Sequence, residues 1–325
     1  MSATQPLLQA DNVSREFAVR GGGLFGRKSF LAVRDVSLTL GRAEVLGVVG
    51  ESGCGKSTLG RLLLHLQAPT GGHVAFEGEV LGRMKPAKLR GLRPKMQMVY
   101  QDPYASLDPR RSVGAQITDG LQEHGMAKGA ELQARAEALL AEVGLDPTHT
   151  ARLPHEFSGG QRQRIAIARA LATGPELVVA DEPVSALDVS VQAQVVNLMA
   201  QLREERGLAM VFISHDLHVV RHLSDRVAVM YLGRVVEEGP AKEVFRTAAH
   251  PYTRALIAAT PQLREPADKP LSSAQGELPN PVSPPSGCGF RTRCPFAKPL
   301  CAEALPPLRS LASNRLVACH RAEEI

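Results

Sequence analysis

The chain has 325 residues, a formal net charge of +5, 22% charged and 44% hydrophobic residues. That length suits two domains with ample chain for a buried core, and that composition is one of a soluble globular protein. The basic excess is spread along the chain, so it is weak support for nucleic acid, which is not expected as a partner, and no run reaches the roughly 18 apolar residues of a membrane span.

The start, Met1 to Val13, is polar and lacks the basic-then-apolar layout of a signal peptide, so a cytoplasmic protein is expected. Any membrane work then falls to partners. Arg20 to Ser29 is glycine-rich and basic and reads as a loop between two early strands. Val45–Val49 is a short apolar run, read as a strand. It leads into Gly50-Glu51-Ser52-Gly53-Cys54-Gly55-Lys56-Ser57-Thr58, which fits G-x-x-x-x-G-K-[ST]. Ser57 to Leu66 has helical character. Strand, glycine loop and helix together turn the pattern into a phosphate site. Backbone N–H groups approach the phosphates there, and the helix start adds its positive end. Lys56 is expected to reach the β- and γ-phosphates, and the Ser57 hydroxyl to bind Mg²⁺. Cys54 is read as a small residue tolerated in the loop.

Met96 to Tyr100 reads as a buried strand ended by Gln101, whose amide can touch metal or water. A polar strand end is the plain alternative. From about Asp102 to Arg169 the chain is helical, including Glu131 to Glu142, and reads as an inserted subdomain. Ser158-Gly159-Gly160-Gln161 opens the helix Gln161 to Ala172, and small residues there form a second anion site with Ser158 as N-cap. It has no role in its own chain's site, so it is expected to serve a partner's. Leu177 to Ala180 is a strand ending in Asp181 and Glu182. Two carboxylates there face charge or solvent. Asp181 is expected to hold Mg²⁺, and Glu182 to polarise the attacking water. After the helix Val191 to Arg206, the strand Met210 to Ile213 runs into Ser214-His215-Asp216. His215 can donate to a γ-phosphate oxygen. Alternatively the segment only caps the helix Leu217 to Leu223. Val227 to Tyr231 is a further strand. Alternating strands and helices imply an α/β protein with a mostly parallel sheet.

Seven prolines from Pro261 to Pro285 mark an extended linker to a tail holding Cys288, Cys294, Cys301 and Cys319. The spacing C-x5-C-x6-C-x17-C is not that of a standard zinc ribbon. Four thiolates suit a [4Fe–4S] cluster, and Pro295 after Cys294 is a faint ferredoxin feature. Zinc, free thiols or a disulfide pair stay open. The tail's distance in sequence from the phosphate motifs suggests a structural or docking role.

In their order, these motifs resemble those of the ATP-binding subunits of ABC transporters. The resemblance covers about residues 7 to 260 and continues into the tail. It adds a D-loop at Ser185-Ala186-Leu187-Asp188. Phe157 stands where many members have leucine, which keeps an apolar residue. Tyr100 to Arg110, His250-Pro251-Tyr252-Thr253-Arg254 and the cysteine tail resemble the oligopeptide/dipeptide importer ATPases more narrowly. The implied fold is a P-loop NTPase: a RecA-like parallel core, an antiparallel β-subdomain and an inserted helical subdomain at about 102–169. The ATPase domain would span residues 1–258, and linker plus cysteine tail 259–325. The implied ligands are ATP, Mg²⁺ and a [4Fe–4S] cluster. Implied partners are a second ATPase subunit (itself or a paralogue), two membrane permease subunits and, indirectly, a periplasmic or extracytoplasmic solute-binding protein. The implied location is peripheral, on the cytoplasmic face of the inner membrane. Phe17 is the best match to an adenine-stacking aromatic, with a core strand residue as the other reading. A soluble ABC ATPase acting on DNA or the ribosome is the alternative function, and a phosphoryl-transfer kinase leaves Ser158 to Gln161 unexplained.

Overall fold

Val45–Val49, Leu177–Asp181 and Ala209–Ile213 are buried at every position, so they form strands covered on both faces. A computed structural model describes residues 5–20, 27–260, 277–311 and 314–325. Most of the expected glycine-rich loop (21–26) and of the proline linker (261–276) lies outside the described residues.

In chain order the first elements are β1 (Leu8–Arg20), β2 (Arg27–Leu40), β3 (Val45–Val49), α1 (Lys56–Leu63), β4 (Gly71–Phe76) and β5 (Glu79–Val80). Then come α2 (Pro86–Leu92), β6 (Met96–Val99), α3 (Pro103–Ser106), α4 (Val113–Glu123), α5 (Ala130–Glu142) and α6 (Gly159–Leu171). They are followed by β7 (Leu177–Asp181), α7 (Val189–Arg206), β8 (Ala209–Ile213), α8 (Leu217–Leu223), β9 (Arg226–Tyr231) and β10 (Arg234–Pro240). The chain ends with α9 (Ala241–Arg246), α10 (Pro251–Ala259), α11 (Leu300–Glu303), β11 (Arg309–Leu311) and β12 (Arg315–Val317). Among the described residues no helix is long and apolar enough to cross a membrane.

Two compact units share these elements. The first is built mainly from Phe76–Ile213. Its strands β6, β7 and β8 run parallel, with Val99 beside Ala180 and Asp181 beside Ile213. Ile167, Leu171, Met199 and Leu202 from α6 and α7 line one apolar space with Val178 and Met210. The helical insert joins that core through α6. Arg169 donates to Ser106 O, and Arg164 donates to Val143 O at 3.0 Å.

The second unit comprises Leu8–Thr39, Leu46–Ala75 and the chain from Ser214 onward. Here β3 and β9 are parallel, β9 and β10 antiparallel, and β10 pairs antiparallel with β12 of the tail. β11 then pairs with β12. The tail therefore adds strands to the sheet, with Val317 opposite Glu237, and Ala318 N–H donates to Val236 O at 2.8 Å. Strands β2, β1 and β4 pair in that order. Gly47 lets β3 lie against α8, because a Cβ there would meet Val220 Cγ1 at 2.4 Å.

Candidate nucleotide site

The phosphate loop in the second unit forms where β3 ends. Gly50 has φ 153°, and a Cβ on it would lie 2.3 Å from Met230 O. Gly55 has φ 105°, and a Cβ there would meet Ala32 O at 2.1 Å. Only glycine fits either place. Between them Ser52 and Gly53 carry the exposed turn, and Ser57 and Thr58 open α1. Lys56 is 4% exposed, and its ammonium donates to Gly50 O at 2.7 Å and Glu51 O at 3.1 Å. Cys54 is buried, its N–H donates to Glu51 O, and burial pushes its thiol pKa up. It packs the loop from below as a small neutral residue.

Glu51 is fixed from three directions. Its N–H donates to Tyr252 Oη at 2.8 Å. Its carbonyl accepts from Lys56, and its carboxylate is bidentate to Arg293 at 2.8 and 2.9 Å. Neither Tyr252 nor Arg293 carried a role in the sequence reading, although both lie in segments singled out there. A tyrosine two residues after a histidine in His250-Pro251-Tyr252 was the available signal.

His215 belongs to the same unit and is exposed. Ser214 N–H donates to Val48 O at 3.1 Å, which ties the segment to β3. Asp216 accepts from the N–H groups of His218 and Val219 and so caps α8. The capping role and an outward histidine coexist. Phe17 is half-buried on β1. Its ring stacks on Phe30 at 5.8 Å between centroids, with the Arg15 guanidinium 4.9 Å above it.

The first unit holds the acidic pair. Asp181 ends β7 and is 2% exposed. Glu182 has φ 45°, a left-handed backbone that costs a non-glycine residue about 1–3 kcal/mol. Its N–H donates to Ile213 O at 2.9 Å. Gln101 Nε2 donates to Glu182 Oε2 at 3.2 Å, so the structure brings these two sequence-predicted residues together. Ser185 donates to Glu182 O at 3.0 Å, which ties the turn Ser185-Ala186-Leu187-Asp188 to the same residue. Asp188 caps α7 through Val191 N–H, and that bond lowers its carboxyl pKa.

Ser158 caps α6 by a reciprocal pair: its hydroxyl accepts from Gln161 N–H at 3.3 Å, and Gln161 Oε1 accepts from Ser158 N–H at 2.9 Å. Ser158 is exposed, while Phe157 beside it is buried. Gly160 lets α6 approach α7, since a Cβ there would meet Val191 Cγ1 at 2.2 Å.

The tail corrects one expectation. Cys288, Cys294, Cys301 and Cys319 line one cavity, yet among the described residues no group of three or more His, Cys, Asp or Glu could hold a metal ion. The space among them is about 10 Å³, room for a single water and not for an iron–sulfur cube. All four are free thiols, and burial raises the pKa of Cys288 to about 11. The predicted [4Fe–4S] site is therefore withdrawn.

Residues 33–185 match the ABC transporter family, and residues 236–301 match the oligopeptide/dipeptide transporter C-terminal region. The chain is 50% identical over 321 residues to the oligopeptide transport ATP-binding protein AppF of Bacillus subtilis, covering 97% of each. It is 51% identical over 302 residues to the oligopeptide transport ATP-binding protein OppF of Escherichia coli, covering 92% of this chain and 90% of that one. Among solved structures, the ATP-binding cassette MJ0796 bound to ADP and Pi as a dimer superposes with a TM-score of 0.64 at 29% identity, over 72% of this chain and 98% of that chain. CbiO1 from Clostridium perfringens, part of the transporter complex CbiONQ, gives 0.63 at 26% identity, over 74% of this chain and 91% of that one. A glycine loop that only glycine can build, a buried Asp181 beside a strained Glu182, and these likenesses agree: the chain belongs to the ABC transporter family, as an ATP-hydrolysing, ATP-binding subunit that carries the oligopeptide/dipeptide-type C-terminal region.

Proposed function

We propose that this subunit supplies the energy for import of oligopeptides, dipeptides or a related small solute. It works peripherally on the cytoplasmic face of the cell membrane. It acts with a second ATPase subunit beneath two permease subunits, which a solute-binding protein feeds. The observation that carries this reading is near-full-length identity of about half to the AppF and OppF proteins, tail included. A soluble ATPase acting on DNA or the ribosome leaves that tail match without a purpose. For domains, we adopt an ATPase portion to residue 258 with its helical insert at about 102–169, followed by linker and tail from 259.

Within that function each site residue takes a role. The amides of Gly50 to Thr58 and the Lys56 ammonium bind the ATP phosphates. Phe17 stacks on adenine. Ser57 offers a hydroxyl, Gln101 an amide and Asp181 a carboxylate oxygen, each a hard donor of the kind Mg²⁺ takes. When bound, that ion neutralises charge on the β- and γ-phosphates. Glu182 accepts the proton of the attacking water, and the Gln101 amide holds its oxygen in place. His215 donates to a γ-phosphate oxygen. Ser158 to Gln161 offer an exposed helix start to the ATP held by a partner's phosphate loop, and Ser185 to Asp188 pack behind it.

The test is purification of the tagged chain from detergent-solubilised membranes, followed by vesicle reconstitution. Two integral-membrane subunits should copurify, and ATP hydrolysis should rise with a peptide-loaded binding protein. A chain that copurifies with nucleic acid or ribosomes and not with membrane proteins overturns the reading.

A further inference from the structure

We propose that Arg293 of the C-terminal tail is a positioning residue for the phosphate loop, acting through Glu51 with help from Tyr252. The proposal rests on the reading of Gly50 to Thr58 as the ATP-phosphate site.

Glu51 sits inside that loop, and its charge has the wrong sign for it. A carboxylate beside bound triphosphate repels the ligand. Arg293 removes this penalty. Its two terminal nitrogens meet the two carboxylate oxygens at 2.8 and 2.9 Å, the planar fork geometry that lysine cannot reproduce. The guanidinium side chain is 8% exposed and the carboxylate side chain 28% exposed, so solvent screens the pair poorly.

The arginine is itself held. Its N–H donates to Phe290 O at 3.0 Å, and its guanidinium lies 5.9 Å from the ring centroids of both Tyr231 and Phe290. Phe290 is 2% exposed and packs on Tyr231 and Tyr252 with centroids at 5.3 and 5.4 Å. Tyr252 also faces the loop, since its Oη takes the Glu51 N–H. One small aromatic cluster thus fixes both the arginine and the peptide it steers.

The pair is a poor device for stability. Burying both charges costs desolvation that attraction only roughly offsets. Arg293 Nε is also buried with no hydrogen-bond partner among the described residues, a further loss. What the arrangement delivers is orientation. With its side chain and N–H both anchored, Glu51 presents its carbonyl to Lys56 at 3.1 Å. The peptides that follow, whose N–H groups face phosphate, start from a fixed plane. A tail that undocks would free Glu51 and weaken ATP binding without touching the hydrolytic residues Gln101 and Glu182.

The experiment uses the full-length chain in its complex. ATP affinity, KM and kcat are measured for Arg293→Gln, Glu51→Gln, their double variant and Arg309→Gln. The last removes an exposed tail ion pair with Glu323 and serves as control. Arg293→Gln should weaken ATP binding and raise KM by about 5- to 150-fold, the usual range for coupling between sites, with kcat changed less than about twofold. The double variant should bind ATP better than Arg293→Gln alone, because the unpaired carboxylate is gone. Arg309→Gln should match wild type. Unchanged affinity in Arg293→Gln, or a double variant no better than that single one, overturns the proposal. Lys56→Ala separates the two levels. If it binds ATP normally, the phosphate-site reading itself fails. If it loses ATP while Arg293→Gln does not, only the role of Arg293 fails.

Discussion

His250 should make the chain acid-sensitive, by an amount its burial sets. The side chain is 1% exposed, and burial lowers its pKa to about 3 from 6.5, against a small opposing effect of the Ala318 carbonyl. Its Nδ1 accepts the Tyr252 N–H at 3.0 Å, so the neutral ring caps α10. The folded pKa lies below the unfolded one. Between the two values the unfolded chain therefore binds more protons, and the contribution of His250 is complete above pH 6.5 and lost as pH falls towards 3. The slope in that window is about 1.4 kcal/mol per pH unit. At about pH 5 the loss is about 2 kcal/mol, and it barely depends on the folded value while that stays well below 5. His250→Asn isolates the effect, because asparagine can cap the same N–H but does not titrate. Unfolding free energies from urea titrations at about pH 7.5 and 5 would be followed by circular dichroism, the chain having no tryptophan. Wild type should lose about 2 kcal/mol more than the variant over that interval. Parallel pH profiles for the two proteins would refute the reasoning.

Glu182→Gln should keep ATP binding and lower turnover by about 10²–10⁴-fold, because an amide cannot accept the water's proton; near wild-type hydrolysis would remove Glu182 from that role. Lys56→Ala should weaken nucleotide affinity itself, measured by calorimetry, since it deletes the cation held at the loop. Ser158→Arg should leave binding at the variant's own phosphate loop intact and block hydrolysis in its partner, which mixing variant and wild-type chains reveals. Hydrolysis at full rate by an isolated monomer at every concentration would contradict that shared arrangement.

The residues that chemistry restricts by type and spacing were readable from the chain. Asp181 and His215 each follow an apolar run, and the structure puts them at the end of β7 and just after β8; Lys56 opens α1, beyond the loop that follows β3. The contact between Gln101 and Glu182 spans 81 positions, yet each residue was identifiable because each lies just beyond the end of its own strand. The Arg293–Glu51 pair spans 242 positions and was not readable, since an ion pair between loops leaves no periodicity. Likewise β12 is only three residues long, and nothing in Arg315–Val317 announces that it will pair with β10. The cysteines erred in the opposite direction. Their number suggested ligation, but spacing alone does not encode whether four thiols converge on a cavity wide enough for a cluster.

The tail's attachment explains why it reaches the loop at all. Pairing with β12 keeps β10 off the sheet edge, where Glu237 is fully buried. That carboxylate accepts the N–H groups of Ala249 and His250 at 2.8 and 3.0 Å, with Arg315 of β12 3.8 Å away. The His250 ring then accepts from Tyr252 N–H, and Tyr252 Oη accepts from Glu51 N–H. Every link after Arg315 has a backbone N–H as its donor, so the chain of bonds fixes peptide planes and not flexible side chains. A buried carboxylate left without its cation costs several kcal/mol. Loss of the tail would therefore unsettle Glu237 first, and the disturbance would run through His250 and Tyr252 into Glu51. Two separate routes, this one and the Arg293 pair, join the tail to one residue of the phosphate loop. For that reason a truncation removes both together, and only point variants can tell them apart.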